Sequence, residues 1–238
     1  MKTIFSRNEK KYIISQAQSD KLKLRLTEFM KPDKYSTYWV QNLFYDTENW
    51  DMIHTSMEKP YYKEKMRLRC YGSILETDRV FLELKKKYSG TVYKRRVPLS
   101  PSDVIAMPIE EILLKNNSQI SKELKYHIQR TGVAKKFYLS YYRNAFVCLN
   151  NSDLRLTIDT NIRYRLNNLN FVQSINYGTA LDSNMFLLEI KTASNIPLWL
   201  TNLLGELGIY STPFSKYAAC FTHWKKQEKL ETLVIESA

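Results

Sequence analysis

Glycine is scarce in this chain: six residues, none of them followed by lysine. That excludes a Walker phosphate loop, and no GxGxxG run supplies a dinucleotide turn. Histidine is rarer still. His54, His127 and His223 have no metal-ligand partner at i+3 or i+4, so each reads as a structural or surface residue. The three cysteines, Cys70, Cys148 and Cys220, are widely separated, odd in number and free of any CxxC pair. They read as buried thiols in a reducing compartment. No GxSxG elbow or Cys/His pairing suggests a covalent nucleophile. The longest apolar run, Ile196 to Ile209, is broken by Asn202, Gly205 and Glu206 and is too short to span a bilayer. The N-terminal MKTIFSRNEKKYII carries charges where a signal peptide needs an apolar core. The expected setting is soluble and cytoplasmic, with no transmembrane segment. Acidic residues are also outnumbered, 24 against 36 Lys plus Arg, a formal net charge of +12. A polyanionic partner follows from that balance, with nucleic acid, acidic lipid and phosphate chains as candidates.

What the chain does have is a stretch of alternation from Tyr61 to Leu99. YYKEKMRLRCYG, RVFLELKKKYSG and TVYKRRVPL predict three consecutive antiparallel strands, with turns near Gly72 to Asp78 and at Ser89-Gly90. Successive side chains of a strand point to opposite faces. Lys65, Arg67 and Arg69 therefore share one face, and Met66, Leu68 and Cys70 the other. Glu83, Lys85 and Lys87 likewise oppose Val80, Leu82 and Leu84. Two short strands thus gather five cations and one carboxylate on one face. Like charges directly across a sheet are destabilising, so this face suits a wet cavity that receives a polyanion.

The remaining chain reads as further strands with helices at its start, middle and end. A first strand runs from Arg7 to Ile14, and a helix from about Ser19 carries Leu22, Leu26, Phe29 and Met30, with Pro32 just beyond it. Strand returns over Tyr35 to Tyr45, and Asp46-Thr47 can cap a short helix containing Trp50, Met52 and Ile53. Residues 100–132 form a helical insertion: Ser100 or Ser102 caps one short helix, and Ile120, Leu124, His127 and Ile128 mark another ending at Gly132. FYLSYYRNAFVCL and LRLTIDTNIRYRL make a hairpin about Asn150-Asn151. Arg155, Thr157 and Asp159 share parity on its second strand, and Arg163 and Arg165 join them if no bulge intervenes. MFLLEIKT is another strand, with Leu187, Glu189 and Lys191 on one face. Pro197 opens a helix that Gly208 closes, and a last helix presents Tyr217, Cys220, Phe221 and Trp224.

This gives an α+β chain of about eight mostly antiparallel strands. One domain is expected over residues 1–228, with a loosely held tail over 229–238. A single basic strand face is usually solvated surface. Its repetition over several strands favours closure with the charged face inward: an eight-stranded antiparallel β-barrel tunnel with a basic lumen, its apolar outside covered by helices. The few carboxylates in this set, Glu9, Glu83 and Glu189, each lie two residues before a lysine. Phosphoryl transfer uses this chemistry, with carboxylates for a divalent ion and Lys and Arg for phosphate. The same E-x-K pattern also makes cross-strand ion pairs.

Taken in order, RNEKKY, LFYDT, KMRLRCY, FLELKKK, VYKRR, YYRNAF, LRLTIDTNIRYR, LLEIK and FSKY resemble the VTC domain, a branch of the triphosphate tunnel metalloenzymes. The resemblance spans nearly the whole chain. It implies a tunnel that binds nucleoside triphosphate or polyphosphate with Mn²⁺ or Mg²⁺, and a polyphosphate polymerase that moves the γ-phosphate of ATP onto a growing chain. Carried over by motif, the phosphate ligands are Lys11, Arg67, Arg69, Lys85, Arg143, Arg155 and Lys216, and the metal-binding glutamate is Glu189. Parity and motif position add Lys65, Lys94 and Lys191, and Arg143 and Arg155 are expected to face each other across their hairpin. Pro213 stands where the family often carries a second lysine, three residues before the one in FSKY. Triphosphate or polyphosphate hydrolysis, with Glu9 or Glu83 orienting a water, and non-catalytic polyanion binding are the alternatives. Nucleic acid is the poorest fit, because the aromatics form no obvious stacking series.

Overall fold

The computed structural model describes residues 8–77, 79–89, 91–182 and 184–236, with the side chains of 234–236 excepted. Arg7, Asp78, Gly90 and residues 237–238, each part of an expected strand, turn or tail, lie outside the described residues. The strands are β1 (Asn8–Ile14), β2 (Met30–Asp46), β3 (Tyr62–Tyr71), β4 (Val80–Tyr88), β5 (Thr91–Leu99), β6 (Ala134–Cys148), β7 (Arg155–Arg165), β8 (Thr179–Ala180) and β9 (Phe186–Thr192). The helices are α1 (Gln16–Leu26), α2 (Asp51–Met57), α3 (Pro101–Ala106), α4 (Ile109–Lys115), α5 (Gln119–Thr131), α6 (Leu198–Glu206) and α7 (Lys216–Glu236). Every strand pairing is antiparallel, in the order β1-β9-β7-β6-β2-β3-β4-β5, with the two-residue β8 on β7.

The expected closed barrel does not form: among the described residues β1 and β5 end the order and do not pair with each other. The free edge of β1 is taken by the segment leading into α7, whose Thr212 N–H donates to the Lys11 carbonyl at 2.8 Å. The sheet nevertheless curls into a trough. Lys85 on β4, near one end of the order, lies within electrostatic reach of Glu9 and Lys191 at the other end.

Alternation decides the two faces. Met66, Leu68, Cys70, Leu82 and Leu84 are buried on the convex side beneath α3, α4 and α5, against Val104, Ile112, Leu113 and Leu124. Tyr12, Leu156, Ile158, Leu188 and Ile190 are covered by α1 and α6 through Leu22, Leu26, Leu200 and Leu204. A third cluster fills part of the concave side, where Tyr217, Cys220 and Phe221 of α7 meet Phe44, Phe137, Leu139 and Tyr164. Helix α7 is thereby fixed across the trough, with its first residue, Lys216, next to the charged floor.

Local differences have physical causes. Helix α1 begins earlier than expected because Ser15 and Gln18 form a reciprocal capping box. It ends at Leu26, and Met30 opens β2 opposite Cys148. Pro32 falls inside β2, at a register break between Pro32 and Thr37 that spares the sheet its missing N–H. The insertion holds three helices where two were expected. Helix α7 continues to Glu236 through most of the expected tail, with residues 226–233 exposed. Asp46 caps α2 as expected, accepting from the N–H groups of Met52 and Ile53 at 2.9 and 3.1 Å.

Candidate functional site: a charged trough

Two carboxylates organise the floor on the β1-β9-β7-β6 side. Asp159, fully buried, accepts both arms of Arg143, at 2.7 and 2.8 Å, and pairs with the Lys216 ammonium at 2.6 Å. Glu189 pairs with Lys216 at 2.7 Å, Lys191 at 3.2 Å, Arg143 at 3.5 Å and Lys11 at 4.0 Å. Glu9 lies 3.2 Å from Lys11 and 3.9 Å from Lys191. The registers explain the meeting: Glu189 stands opposite Lys11 on one neighbour and Thr157 on the other, and Asp159 opposite Arg143. Burial pushes both carboxyls up, but Lys216 with Arg143 at Asp159, and Lys216, Lys191 and Arg143 at Glu189, outweigh it and hold both below the carboxylate range. Burial lowers the Lys216 ammonium, and Asp159 and Glu189 more than restore it, so its charge is secured.

A second group forms around Glu83, which is 2% exposed. Its carboxylate meets Arg67 at 2.8 Å, Lys94 at 2.6 Å and Arg96 at 3.3 Å. Burial raises its pKa, and Arg67, Arg69 and Lys94 overcome that. Arg69 donates to Asn42 at 3.0 Å. Between the two groups lie Lys65 and Lys85, cross-strand partners on β3 and β4. Burial first, then Lys63, Lys85, Lys11 and Arg67, bring the Lys65 pKa down to about 7. Tyr141 sits under the same field: its ring centroid is 4.6 Å from Lys216 Nζ and 5.2 Å from the Arg143 guanidinium. Burial raises its pKa, and Arg143, Arg69 and Lys216 together outweigh that, leaving it below the usual tyrosine value.

The trough therefore brings together Lys11, Lys65, Arg67, Arg69, Lys85, Lys94, Arg143, Lys191 and Lys216 with Glu9, Glu83 and Glu189. Arg155 stands apart. It does not face Arg143 across the hairpin: its partners are Val147 on β6 and Lys191 on β9, and it is exposed at the end of the floor. A bulge does intervene in β7. Ser140 pairs with Arg163 and Tyr142 with Thr160, so Asn161 and Ile162 both oppose Tyr141, and Asn161 has φ 51°. The extra residue turns Arg163 and Arg165 to the convex face, where Arg165 lies over Tyr138 at 3.3 Å and donates to the carbonyls of Asn168, Asn170 and Tyr177.

Sequence reasoning missed Asp159, Arg96, Asn42 and Tyr141 as members of the site. Asp159 had the right parity, but its role as a shared anchor for Arg143 and Lys216 depends on α7 reaching the floor. Arg96 shares the face of Lys94, two residues away.

A profile of the VTC domain matches residues 6–225. The chain belongs to the VTC domain family. This VTC domain is 25% identical over 218 residues to subunit 4 of the vacuolar transporter chaperone complex of Trypanosoma brucei brucei, covering 75% of this chain and 27% of that protein. It is similar in structure to an adenylate-cyclase-like protein of Bacillus halodurans, with TM-score 0.55 and 13% identity over 90% of this chain and 96% of that one. It is similar also to an adenylyl-cyclase-like protein of Hippeastrum, for which a dominant triphosphatase activity is stated, with TM-score 0.50 and 18% identity over 90% and 95%. At these identities the structural likeness establishes the fold, an α+β arrangement on an antiparallel sheet. Among the described residues no helix is long and apolar enough to cross a membrane.

Proposed function

We propose that this VTC domain is a metal-dependent polyphosphate polymerase. One observation carries the reading: Lys11, Arg67, Arg69, Lys85, Arg143 and Lys216, from β1, β3, β4, β6 and α7, converge on one concave floor. A solvated outer face has no need of Arg and Lys held by buried carboxylates. A polyanion does, because preorganised cations cost little reorganisation when charge develops on a transferring group. Membership of the VTC family agrees with this use of the trough.

In the reaction, a terminal oxygen of the acceptor chain attacks the γ-phosphorus of ATP and the bond to the β,γ-bridging oxygen breaks, so ADP leaves. The acceptor oxygen is already anionic near neutral pH, and no general base is needed. Arg67, Arg69, Lys85 and Arg143 spread and neutralise the charge on the transferring phosphoryl group. Lys11, Lys65, Lys94, Lys191 and Lys216 hold the flanking phosphates, and Arg155 meets longer chains at the end of the floor.

A divalent ion such as Mn²⁺ or Mg²⁺ fits the donor set in one place. Among the described residues no group of three His, Cys, Asp or Glu makes a ready cage. Glu9 and Glu189, on paired strands, share Lys11 and Lys191 as partners. Two carboxylates beside phosphate oxygens suit an ion that takes one or two protein ligands and completes its shell with phosphate and water. Glu9 and Glu189 would hold it, and when bound it would neutralise phosphate oxygens. Glu83 shares none of its partners Arg67, Lys94 and Arg96 with a second carboxylate among the described residues, and serves to aim them.

The test is to incubate the pure protein with ATP and Mn²⁺ and to size the phosphate products. Long chains are expected; orthophosphate alone would replace the reading with a triphosphatase, and polyphosphate binding without turnover would replace it with a binding module.

A further inference from the structure

The concave face changes character along its length. At one end Lys63 and Lys87 are direct cross-strand partners, one rung beyond the pair Lys65 and Lys85. The exposed tyrosines at that end, Tyr62 and Tyr88, pair with each other on the convex side, two residues from Glu64 and Lys86. At the other end the cations give way to aromatic rings. Tyr38 of β2 is the cross-strand partner of Arg143, and Tyr71 of β3 is the partner of Val40, two residues along. The two rings meet edge to face at 5.9 Å, and Tyr35 continues the row at 6.3 Å from Tyr38. Tyr71 is 6.1 Å from Phe81, whose own face is covered by the Arg96 guanidinium at 3.4 Å.

Tyr38 and Tyr71 rest on the buried cluster around Val40 and remain half-exposed, while Tyr35 is 67% exposed. They adjoin the phosphate-binding cations directly: the Arg69 guanidinium lies 5.9 Å from the Tyr71 ring, and Arg143 acts on Tyr38. Of the other concave-face aromatics, Phe44, Phe137 and Tyr164 are buried under α7, and Tyr141 is buried beneath Arg143 and Lys216.

We propose that Tyr35, Tyr38 and Tyr71 form a nucleobase-stacking subsite, so that a nucleoside triphosphate lies in the trough with its base at this end and its phosphates directed toward Lys63 and Lys87. The inference rests on the reading of the chain as an ATP-consuming enzyme. Every base presents a π-face, so stacking on tyrosine tolerates any base and distinguishes a nucleotide from a bare phosphate chain. The orientation also assigns the lysine end to the phosphate chain, whose repeating charge has no ring to stack.

The experiment compares ATP with inorganic tripolyphosphate by titration calorimetry on the full chain, in EDTA so that neither is turned over. Tyr38→Leu is expected to weaken ATP binding by about 5- to 100-fold and to leave tripolyphosphate within about twofold. Tyr38→Phe keeps both affinities. Tyr35→Leu, at an exposed position that the fold tolerates, weakens ATP alone by a smaller factor. Equal losses for the two ligands, or no loss for either, would overturn the subsite. Product sizing with Mn²⁺ reports on the polymerase reading separately, since a triphosphatase could use the same subsite.

Discussion

Arg143 and Asp159 stand directly opposite each other on β6 and β7, and both arms of the guanidinium reach the carboxylate, at 2.7 and 2.8 Å. The same carboxylate takes the Lys216 ammonium from α7, so a single buried acid ties two strands to the helix that crosses the trough.

Replacing Asp159 by Asn removes that acid while preserving its shape. Two buried cations are left to share Glu189, and loss of one partner of a buried ion pair costs about 3 kcal/mol. Urea unfolding at pH 7 should register the loss. Asp159 and Glu189 have depressed pKa values in the folded state, so their stabilisation is present above the unfolded values and is lost as pH falls below about 4. The Asp159→Asn protein should therefore lose less stability than the wild type across that acidic range.

Glu189→Gln should abolish metal-dependent turnover and leave tripolyphosphate binding measurable, because Arg67, Lys94 and Arg96 are held by Glu83 and Arg69 by Asn42. Product sizing and calorimetry read the two effects apart. Unchanged turnover would remove Glu189 from the site.

Lys65 titrates near neutrality in the free protein, at about 7. A bound phosphate chain favours its charged form, so binding just above that pH takes up protons, and affinity falls as pH rises from 7 to 9. Calorimetry in two buffers of different ionisation enthalpy measures the uptake. The Lys65→Met protein should lose this part of the proton linkage.

Arg143→Ala and Arg155→Ala should differ. Arg143 is engaged with both Asp159 and Glu189 at the centre of the floor, whereas Arg155 is exposed at its end. Loss of Arg143 should weaken tripolyphosphate binding more than tenfold, and loss of Arg155 several-fold less, as expected of an exposed charge worth about 1 kcal/mol or below. Arg155→Ala should affect long chains more than tripolyphosphate. Competition binding with chains of graded length checks both.

Much of this was legible because strand alternation is a local property. Met66, Leu68, Cys70, Leu82 and Leu84 are buried where period two placed them, and Lys65, Arg67, Arg69 and Lys85 share the opposite face. The errors fall where distant chain decides. Phe29 and Met30 continue a helical spacing from Leu22 and Leu26, yet Met30 is drawn into β2 by pairing with Cys148. The open seam between β1 and β5 reflects the segment before α7, which occupies the β1 edge. Alternation placed Glu83 and Glu189 among the cations as carboxylates for a divalent ion, but it could not reveal that, with Asp159, they are buried and set the direction of those cations.

The bulge at Asn161 makes the length of β7 matter more than the identity of that residue. Exchanging Asn161 for glycine keeps the count and suits a positive φ. Deleting it would rotate Arg163 and Arg165 inward, crowding the channel with two extra guanidiniums. The loop carbonyls of Asn168, Asn170, Asn176 and Gly178 would lose their clasp at the same stroke.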